Sequence, residues 1–519
     1  MDVGTLVARS MQKYRNRVAV ESAEGAMTYG QIGSRIFQLA RGLKSLGLEL
    51  GDRVLDLQFN QTTYIETDLA ISTAGLCRVA LNYRLHPNDW VRITNDCNAK
   101  VLILDAKFWE ESAPVRELVD HVILIHGEQD KTLPYEAFLA KQESHKFSLA
   151  ISPDALVSLN YSSGTTGNPK GAIRTHRNRT ASLANIVSDI LRRTPDKSDC
   201  WIHAGPVTHT SGLFVLPYFT YGAKQIILEK YDPEELIDVI ENRGGNATAL
   251  VPTMVARLLS VDGINAKRFA NLRMLGYAGA PMPPEQIKQC HERITKNMVQ
   301  YYGLVEAIPP VTVLNEADHA LGLTNQPELL TSAGTPCVGV EILIVDEQGK
   351  EVPTGEIGEV ITRGDHVMNG YYGAAGRDPT VTKAVRDGWL HTGDLGRVDE
   401  DNRLYLVDRK GEMIISGGYN IYPREIEDVI AEIPEVREVA VMGISDSEWG
   451  QRVTALVTID PNSKVEQSVI KDKILEHCKS KMASYKKPKD LRIVNEFPLN
   501  STGKISKKLL KQQLEAEGK

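Results

Sequence analysis

At 519 residues the chain is too long for one hydrophobic core, and about two to four structural units are expected. A net charge of −7 argues against a dedicated nucleic-acid binder, and no apolar run is long enough to span a bilayer. Six scattered cysteines (Cys77, Cys97, Cys200, Cys290, Cys337, Cys478) lack the paired spacing of a zinc site and fit reduced thiols. The N-terminal stretch has no signal-peptide apolar core, and "EAEGK" at the C-terminus is neither a peroxisomal address nor a lipidation box. A cytoplasmic protein is expected.

Strand-like and helix-like runs alternate along most of the chain, which predicts an α/β fold of layered subdomains. In order, "YGQIGSRIFQLARGLKSLG" reads as an amphipathic helix, and "DRVLDLQ", "AKVLILD" and "DHVILIH" read as strands. "ALVSLNYSSGTTGNPKGAIRTHRN" reads as a strand, a flexible loop, and a strand leading to a helix near Asn178. "AKQIILE" and "ATALVP" are strands that flank the helical "DPEELIDVIENRGG". From Gly355 to Tyr372, "GEIGEVITRGDHVMNGYYG" changes to short strands with Gly-rich turns, a β-rich subdomain. The pattern breaks again over Leu406 to Asn420, "LVDRKGEMIISGGYN", and a helix then a strand follow in "PREIEDVIAEIPEVREVAVMGISD". The remaining hundred or so residues suit a small α+β domain. Its last fifty or so hold about twice as many basic as acidic residues, which reads as a solvated face or a surface for phosphorylated ligands.

The loop is the richest chemical signal. Ser162, Ser163, Gly164, Thr165, Thr166, Gly167 and Lys170 combine bare backbone N–H groups, hydroxyl donors and a cation, which suits phosphate. It is not a Walker A loop, because Lys170 follows Pro169 where that motif needs glycine. "NSTGKIS" fails too, with Pro498 in place of the first glycine. A P-loop NTPase is disfavoured.

"YSSGTTGNPKG" resembles the phosphate loop of the adenylate-forming enzymes, which include acyl-CoA and aryl-CoA synthetases, peptide-synthetase adenylation domains and firefly luciferase. The similarity runs in the family's order through "PVTHTSG", "GYAGAPMPPE", "YYGLVEA", "GWLHTGDLG", "VDRKGEMIISGGYNIYPREIE" and "PLNSTGKISKK". It implies a large N-terminal domain over 1–410 and a mobile C-terminal lid over 411–519, with a hinge near Gly411. ATP, Mg2+ and coenzyme A come with it. The loop and Lys170 are then expected to hold pyrophosphate, with Thr166 and Glu306 near the metal. Asp394 and Arg409 are expected at the ribose and phosphate, and Gly279, Ala280, Pro281 and Tyr302 around adenine. From its residue type alone, Tyr302 reads equally well as core packing. Lys504 matches the lysine that bridges the substrate carboxylate and the α-phosphate. Gly417, Gly418 and Tyr419 match the pantetheine-side loop. The hinge usually carries lysine or aspartate, so Gly411 is a departure.

A carboxylate is a poor acyl donor because its oxide leaves badly; transfer to AMP makes a mixed anhydride that a thiolate can open. The resemblance thus implies an ATP-dependent, AMP-forming acyl-CoA ligase. The alternatives are an adenylation enzyme that loads a carrier protein's phosphopantetheine and, more remotely, a non-catalytic nucleotide-binding homologue. The acyl pocket is expected to draw on His209, Tyr277, Ala278, Ile308, Pro309 and Pro310. His209, a catalytic or gate candidate by resemblance, equally reads as a structural hydrogen-bonding residue. No aspartate stands from Pro206 to Tyr218 to pair a substrate ammonium, so an apolar aliphatic or aromatic acid is expected.

Overall fold

The computed structural model describes residues 1–519 apart from 163–169, 374–383, 417–418, 447–448, 462, 464, 501–503 and 518–519. Two large, mainly parallel sheets form its body. The first has seven strands in the order Leu133–Pro134, His121–Ile125, Val101–Asp105, Arg53–Leu57, Cys77–Ala80, Leu156–Ser162, Lys170–Thr175. All neighbours are parallel except the last two, which pair antiparallel, Ser162 opposite Lys170. "VLILD" is buried at all five positions, as expected of a strand covered by helices on both faces.

The second sheet has nine strands, with Met298–Tyr302, Met274–Ala278, Ala247–Leu250, Cys200–His203, Lys224–Ile227 and Val18–Ser22 parallel in its middle. Helix Tyr29–Ser45, the first predicted one, begins with a reciprocal cap between Thr28 and Gln31. Helix Thr62–Thr73 is buried along all twelve residues. Its charges are matched: Asp68 takes Arg78 and Arg179, and Glu66 takes Arg35.

The β-rich subdomain is an antiparallel sheet of Glu341–Val345, Gly358–Arg363 and Trp389–Val398, with Val385–Arg386 and Leu404–Arg409 both pairing on Trp389–Val398. After Arg409 the chain changes sheet. Ile414–Ser416 and Tyr419–Ile421 join the long hairpin Val436–Asp446 and Gly450–Ile459, beside which Asp490–Ile493 lies parallel. Helices Pro423–Ile430 and Gln467–Lys481 complete its core through Ile426, Ile430, Ile470 and Ile474. The architecture is a large N-terminal α/β body and a small C-terminal α+β domain. Among the described residues no helix is long and apolar enough to cross a membrane, and the six cysteines are buried and unpaired.

Candidate active site

Parallel strands put loop-borne chemistry at their carboxyl ends. Gly279 directly follows strand Met274–Ala278, and Tyr302 ends strand Met298–Tyr302. Tyr302 donates its hydroxyl hydrogen to Asp394 Oδ2 at 2.5 Å. Asp394 and Arg409 face each other across the adjoining antiparallel ladder, and Arg409 Nε lies 3.0 Å from Asp394 Oδ1. Burial raises the Asp394 carboxyl above its usual range, while Arg409 and the Tyr302 hydroxyl pull it back. The Arg409 guanidinium is held charged chiefly by Asp394.

Lys504 comes from the far end of the chain. Its backbone N–H donates to Asn500 Oδ1 (3.0 Å), and the Asn500 N–H donates to its carbonyl (2.7 Å), closing a small loop. The side chain runs against Gly279. A Cβ there would stand 3.0 Å from Lys504 Cε and 3.5 Å from Nζ, and φ at Gly279 is +88°, so both sterics and backbone call for glycine. Burial lowers the Lys504 amine to about 8, with the nearby Arg409 charge adding to the effect and Asp394 opposing it. Ala280 is half-buried and Pro281 exposed beside it.

A second group adjoins Glu306. Tyr371 donates to Glu306 Oε1 at 2.8 Å, and Lys170 Nζ lies 5.9 Å from the Tyr371 ring centre. Arg174 Nη2 donates to the Val305 carbonyl at 2.8 Å, and burial lowers its guanidinium to about 10. Ser162 ends the strand leading into the loop. Ser163, Gly164, Thr165, Thr166 and Gly167 lie outside the described residues, as do Gly417 and Gly418.

Among the acyl-pocket candidates, His209 accepts from Asn82 Nδ2 at Nε2 over 2.8 Å, so the ring is neutral with its proton on Nδ1. Burial, reinforced by the charges of Lys504 and Arg84, lowers His209 to about 4. Ala278 faces an aromatic cluster with Phe214, Trp201 and Tyr301. Tyr277 does not. Successive strand residues point to opposite faces, and Tyr277 packs with Leu275, Met282 and Ile287, its hydroxyl donating to His319 Nε2 at 2.9 Å. It is a core residue on the sheet's other side, which corrects its expected place in the acyl wall. Ile308 is buried; the Pro309 and Pro310 carbonyls accept from Ser182 (2.6 Å) and Asn185 (3.5 Å).

Tyr419 is exposed and stacks on Tyr485 with ring centres 4.5 Å apart. Gly411 is exposed between the last strand of the β-rich sheet and the first of the C-terminal sheet, and a Cβ added there would meet no atom within 4 Å. Lys507 of the final helix binds Glu427 (2.8 Å) and Glu412 (3.4 Å), next to the hinge candidate.

The AMP-binding enzyme family model matches residues 7–372, and the AMP-binding enzyme C-terminal domain model matches residues 425–504. The chain belongs to the AMP-binding enzyme family. The chain is 32% identical over 526 residues to the medium/long-chain-fatty-acid–CoA ligase FadD8 of Mycobacterium tuberculosis, covering 98% of this chain and 89% of that one. It is also 32% identical over 507 residues to a feruloyl-CoA synthase from Amycolatopsis sp, covering 97% of each. The fold matches the ATP-bound crystal structure of MatB from Rhodopseudomonas palustris with a TM-score of 0.87 at 27% identity, over 100% of both chains. This AMP-binding enzyme is an adenylate-forming acid–thiol ligase.

Within it, Lys504, Gly279, Tyr302, Asp394 and Arg409 come together as one group, and Glu306 meets Lys170 through Tyr371. Sequence reasoning missed Asn82, Tyr371 and Arg174. Arg174 stands four residues after Lys170 on the same strand, a signal that was available. Asn82 and Tyr371 act on partners 127 and 65 residues away and carry no local signal.

Proposed function

We propose that this ligase activates an aliphatic or aromatic carboxylic acid by adenylation and transfers the acyl group to coenzyme A, with the residue roles that follow. The acid's carboxylate attacks the α-phosphorus of ATP, pyrophosphate leaves, and a thiolate then displaces AMP from the mixed anhydride. The observation that carries the reading is Lys504. A side chain from the C-terminal domain lies against Gly279 within the electrostatic field of Arg409 and Asp394. A cation so placed stabilises charge as it develops between carboxylate and phosphate.

Asp394 offers acceptor oxygens to the ribose diol, and Arg409 holds it while facing phosphate. Tyr302 is fixed by its hydroxyl, which leaves its ring for the adenine alongside Gly279, Ala280 and Pro281. Lys170 and the hydroxyl-rich loop before it, Ser162 to Gly167, hold the departing pyrophosphate. A carboxylate oriented by Tyr371 fits a hard divalent cation, so Glu306 and Thr166 are the candidates for Mg2+, which neutralises phosphate charge when bound. His209, neutral and pinned by Asn82, marks the carboxylate end of the acid pocket, with Ala278 and the segment Ile308 to Pro310 along its wall.

For the second half-reaction, Gly411 is the hinge between a domain over 1–410 and a lid over 411–519. Gly417, Gly418 and Tyr419 then approach the pantetheine arm. The test is mass spectrometry of products from purified protein, ATP, magnesium and a panel of carboxylic acids, with and without coenzyme A. AMP together with an acyl-CoA is the expected result. AMP or acyl-adenylate with no thioester would move the acceptor to a carrier protein, and no acid-dependent AMP would overturn the reading.

A further inference from the structure

We infer that Asn82 is a positioning residue for the acid: it fixes His209 as a neutral ring with its proton on Nδ1, so that His209 offers the substrate carboxylate a donor and not a further cation beside Lys504. The inference rests on the ligase reading above, in which His209 stands at the carboxylate end, and deepens it.

The orientation of the Asn82 amide is forced by a group that can only donate. The Arg84 backbone N–H donates to Asn82 Oδ1 at 3.0 Å, so Nδ2 is the amide atom that faces His209 Nε2 at 2.8 Å. The Asn82 carbonyl is held by the Trp90 indole N–H and the Leu85 N–H, both at 3.0 Å, and the residue is only 4% exposed. A ring nitrogen that accepts from an amide cannot itself carry the proton. His209 therefore keeps its single proton on Nδ1, and the ring is half-buried, not sealed in the core.

The turn that carries this ring is gripped from both sides. Asn60 and Asn82 follow neighbouring strands of the seven-stranded sheet, Arg53–Leu57 and Cys77–Ala80. Asn60 donates to the Gly205 and Leu228 carbonyls (2.9 and 3.2 Å) and accepts from the Val207 N–H (3.0 Å). On the other flank Ser211 bonds His203 at 2.9 Å, and His203 bonds Gln225 at 2.9 Å. Gly212 packs so closely that a Cβ there would stand 2.1 Å from the Val207 carbonyl oxygen. With the backbone held in this way, the place of the proton on the ring is what Asn82 decides.

The charged groups that act on the ring, Lys504 and Arg84, are both cations, so a protonated His209 would add positive charge to positive charge. During adenylation the carboxylate gives up negative charge as its oxygen bonds to phosphorus. A cation placed on that oxygen alone would hold the ground state more tightly than the transition state and slow the step. A neutral N–H orients the oxygen with a smaller ground-state gain, and leaves the charge stabilisation to Lys504.

Asn82→Asp tests this by putting an acceptor where the ring needs a donor. At low pH the variant's ring is an imidazolium paired with the new carboxylate. At higher pH it keeps its proton on Nε2 and turns a lone pair to the acid. With ATP and the best of hexanoic, benzoic and cinnamic acids, KM for the acid should rise about tenfold or more between about pH 6 and 7.5, while KM for ATP stays level. Wild type should be flat across that window, because burial and the two cations lower its ring to about 4. Adding His209→Gln, an uncharged donor at every pH, should abolish the slope. A flat acid KM in Asn82→Asp, a slope that survives His209→Gln, or an ATP KM that moves in step overturns the inference. Absence of AMP from every acid marks failure of the ligase reading alone. In that case, or if Asn82→Asp does not fold, the tautomer is read from nitrogen-15 spectra of histidine-labelled protein, with His209 assigned by its loss in His209→Gln. Wild type should hold the proton on Nδ1 from about pH 6 to 8, and Asn82→Ala should mix the two tautomers. A wild-type proton on Nε2 or on both nitrogens, or a spectrum that Asn82→Ala leaves unchanged, overturns the inference.

Discussion

In the group proposed for the nucleotide, Tyr302, Asp394 and Arg409 already satisfy one another at 2.5 and 3.0 Å, while on the aromatic face beside Ala278 the neighbouring Tyr301 hydroxyl and the Trp201 indole N–H meet no hydrogen-bond partner among the described residues. The contrast follows from what holds each of them together. A nucleotide presents a fixed diol and fixed phosphates, so a group assembled beforehand loses little to reorganisation when it binds. The aromatic face is held by ring packing instead, Trp201 stacking on Phe214 at 3.7 Å, and its two unmet donors are a cost that this packing offsets.

Lys504 is where that contrast breaks most sharply, since its charge is felt both beside Asp394 and Arg409 and at His209. Lys504→Ala should lower adenylate formation by roughly 100- to 1,000-fold while sparing thioester formation from supplied acyl-adenylate. Pyrophosphate exchange at the wild-type rate would remove Lys504 from the mechanism. Its charge also sets a pH limit. Burial and Arg409 bring the free amine to about 8, so the needed cation is lost as pH rises through that value. The kcat/KM of the adenylation half-reaction reports the free enzyme and should fall above about pH 8, whereas kcat, measured with phosphate anions bound beside the amine, should hold to higher pH. A limb that survives unchanged in Lys504→Arg would be assigned to another group.

The hinge proposed at Gly411 is expected to separate the half-reactions. A Cβ at Gly411 meets nothing, so Gly411→Ala should be tolerated. Gly411→Pro fixes φ near −65° and restricts Lys410 as well. We expect it to slow thioester formation by at least about tenfold while leaving adenylation measurable, because a rotation of the lid needs that freedom. Equal loss of both halves would place the pivot elsewhere.

Much of the group proposed for the nucleotide was legible in the sequence, because its residues sit in compact motifs. Strands such as "VLILD" and helix Tyr29–Ser45 follow their patterns, since burial on both faces or one leaves a period that can be read. The surroundings of the acyl-pocket candidates were not legible in the same way. "GYAGA" reads as one segment, but the strand pleat sends Tyr277 to one core and Ala278 to another. His209 is recognisable by its place, yet its neutral state depends on Asn82 and on burial. Nothing local announces that Trp201 stacks on Phe214 or that Tyr301 lies over Gly276. Pockets for variable ligands are built from packing between distant segments, and packing leaves a weaker trace than a motif.

The finest test of the contrast removes the same oxygen from two adjacent residues. Tyr302→Phe strips a donor from a buried carboxylate, an interaction with a charged group worth about 1.5–3 kcal/mol. It should also push the Asp394 carboxyl further above its usual value. A carboxyl whose pKa is raised on folding makes the native state bind protons more tightly than the unfolded chain. Stability therefore falls as pH rises from the unfolded value of about 4 through the folded one, and falls further in the variant. The stability gap between wild type and Tyr302→Phe in urea melts should be smaller at pH 4.5 than at pH 7.5. Tyr301→Phe removes a hydroxyl with no partner to lose, so it should be neutral or up to about 1 kcal/mol more stable. If both substitutions cost the same, the Tyr301 hydroxyl has an unrecognised partner, and the distinction between a preassembled polar group and an unpartnered hydroxyl fails with it.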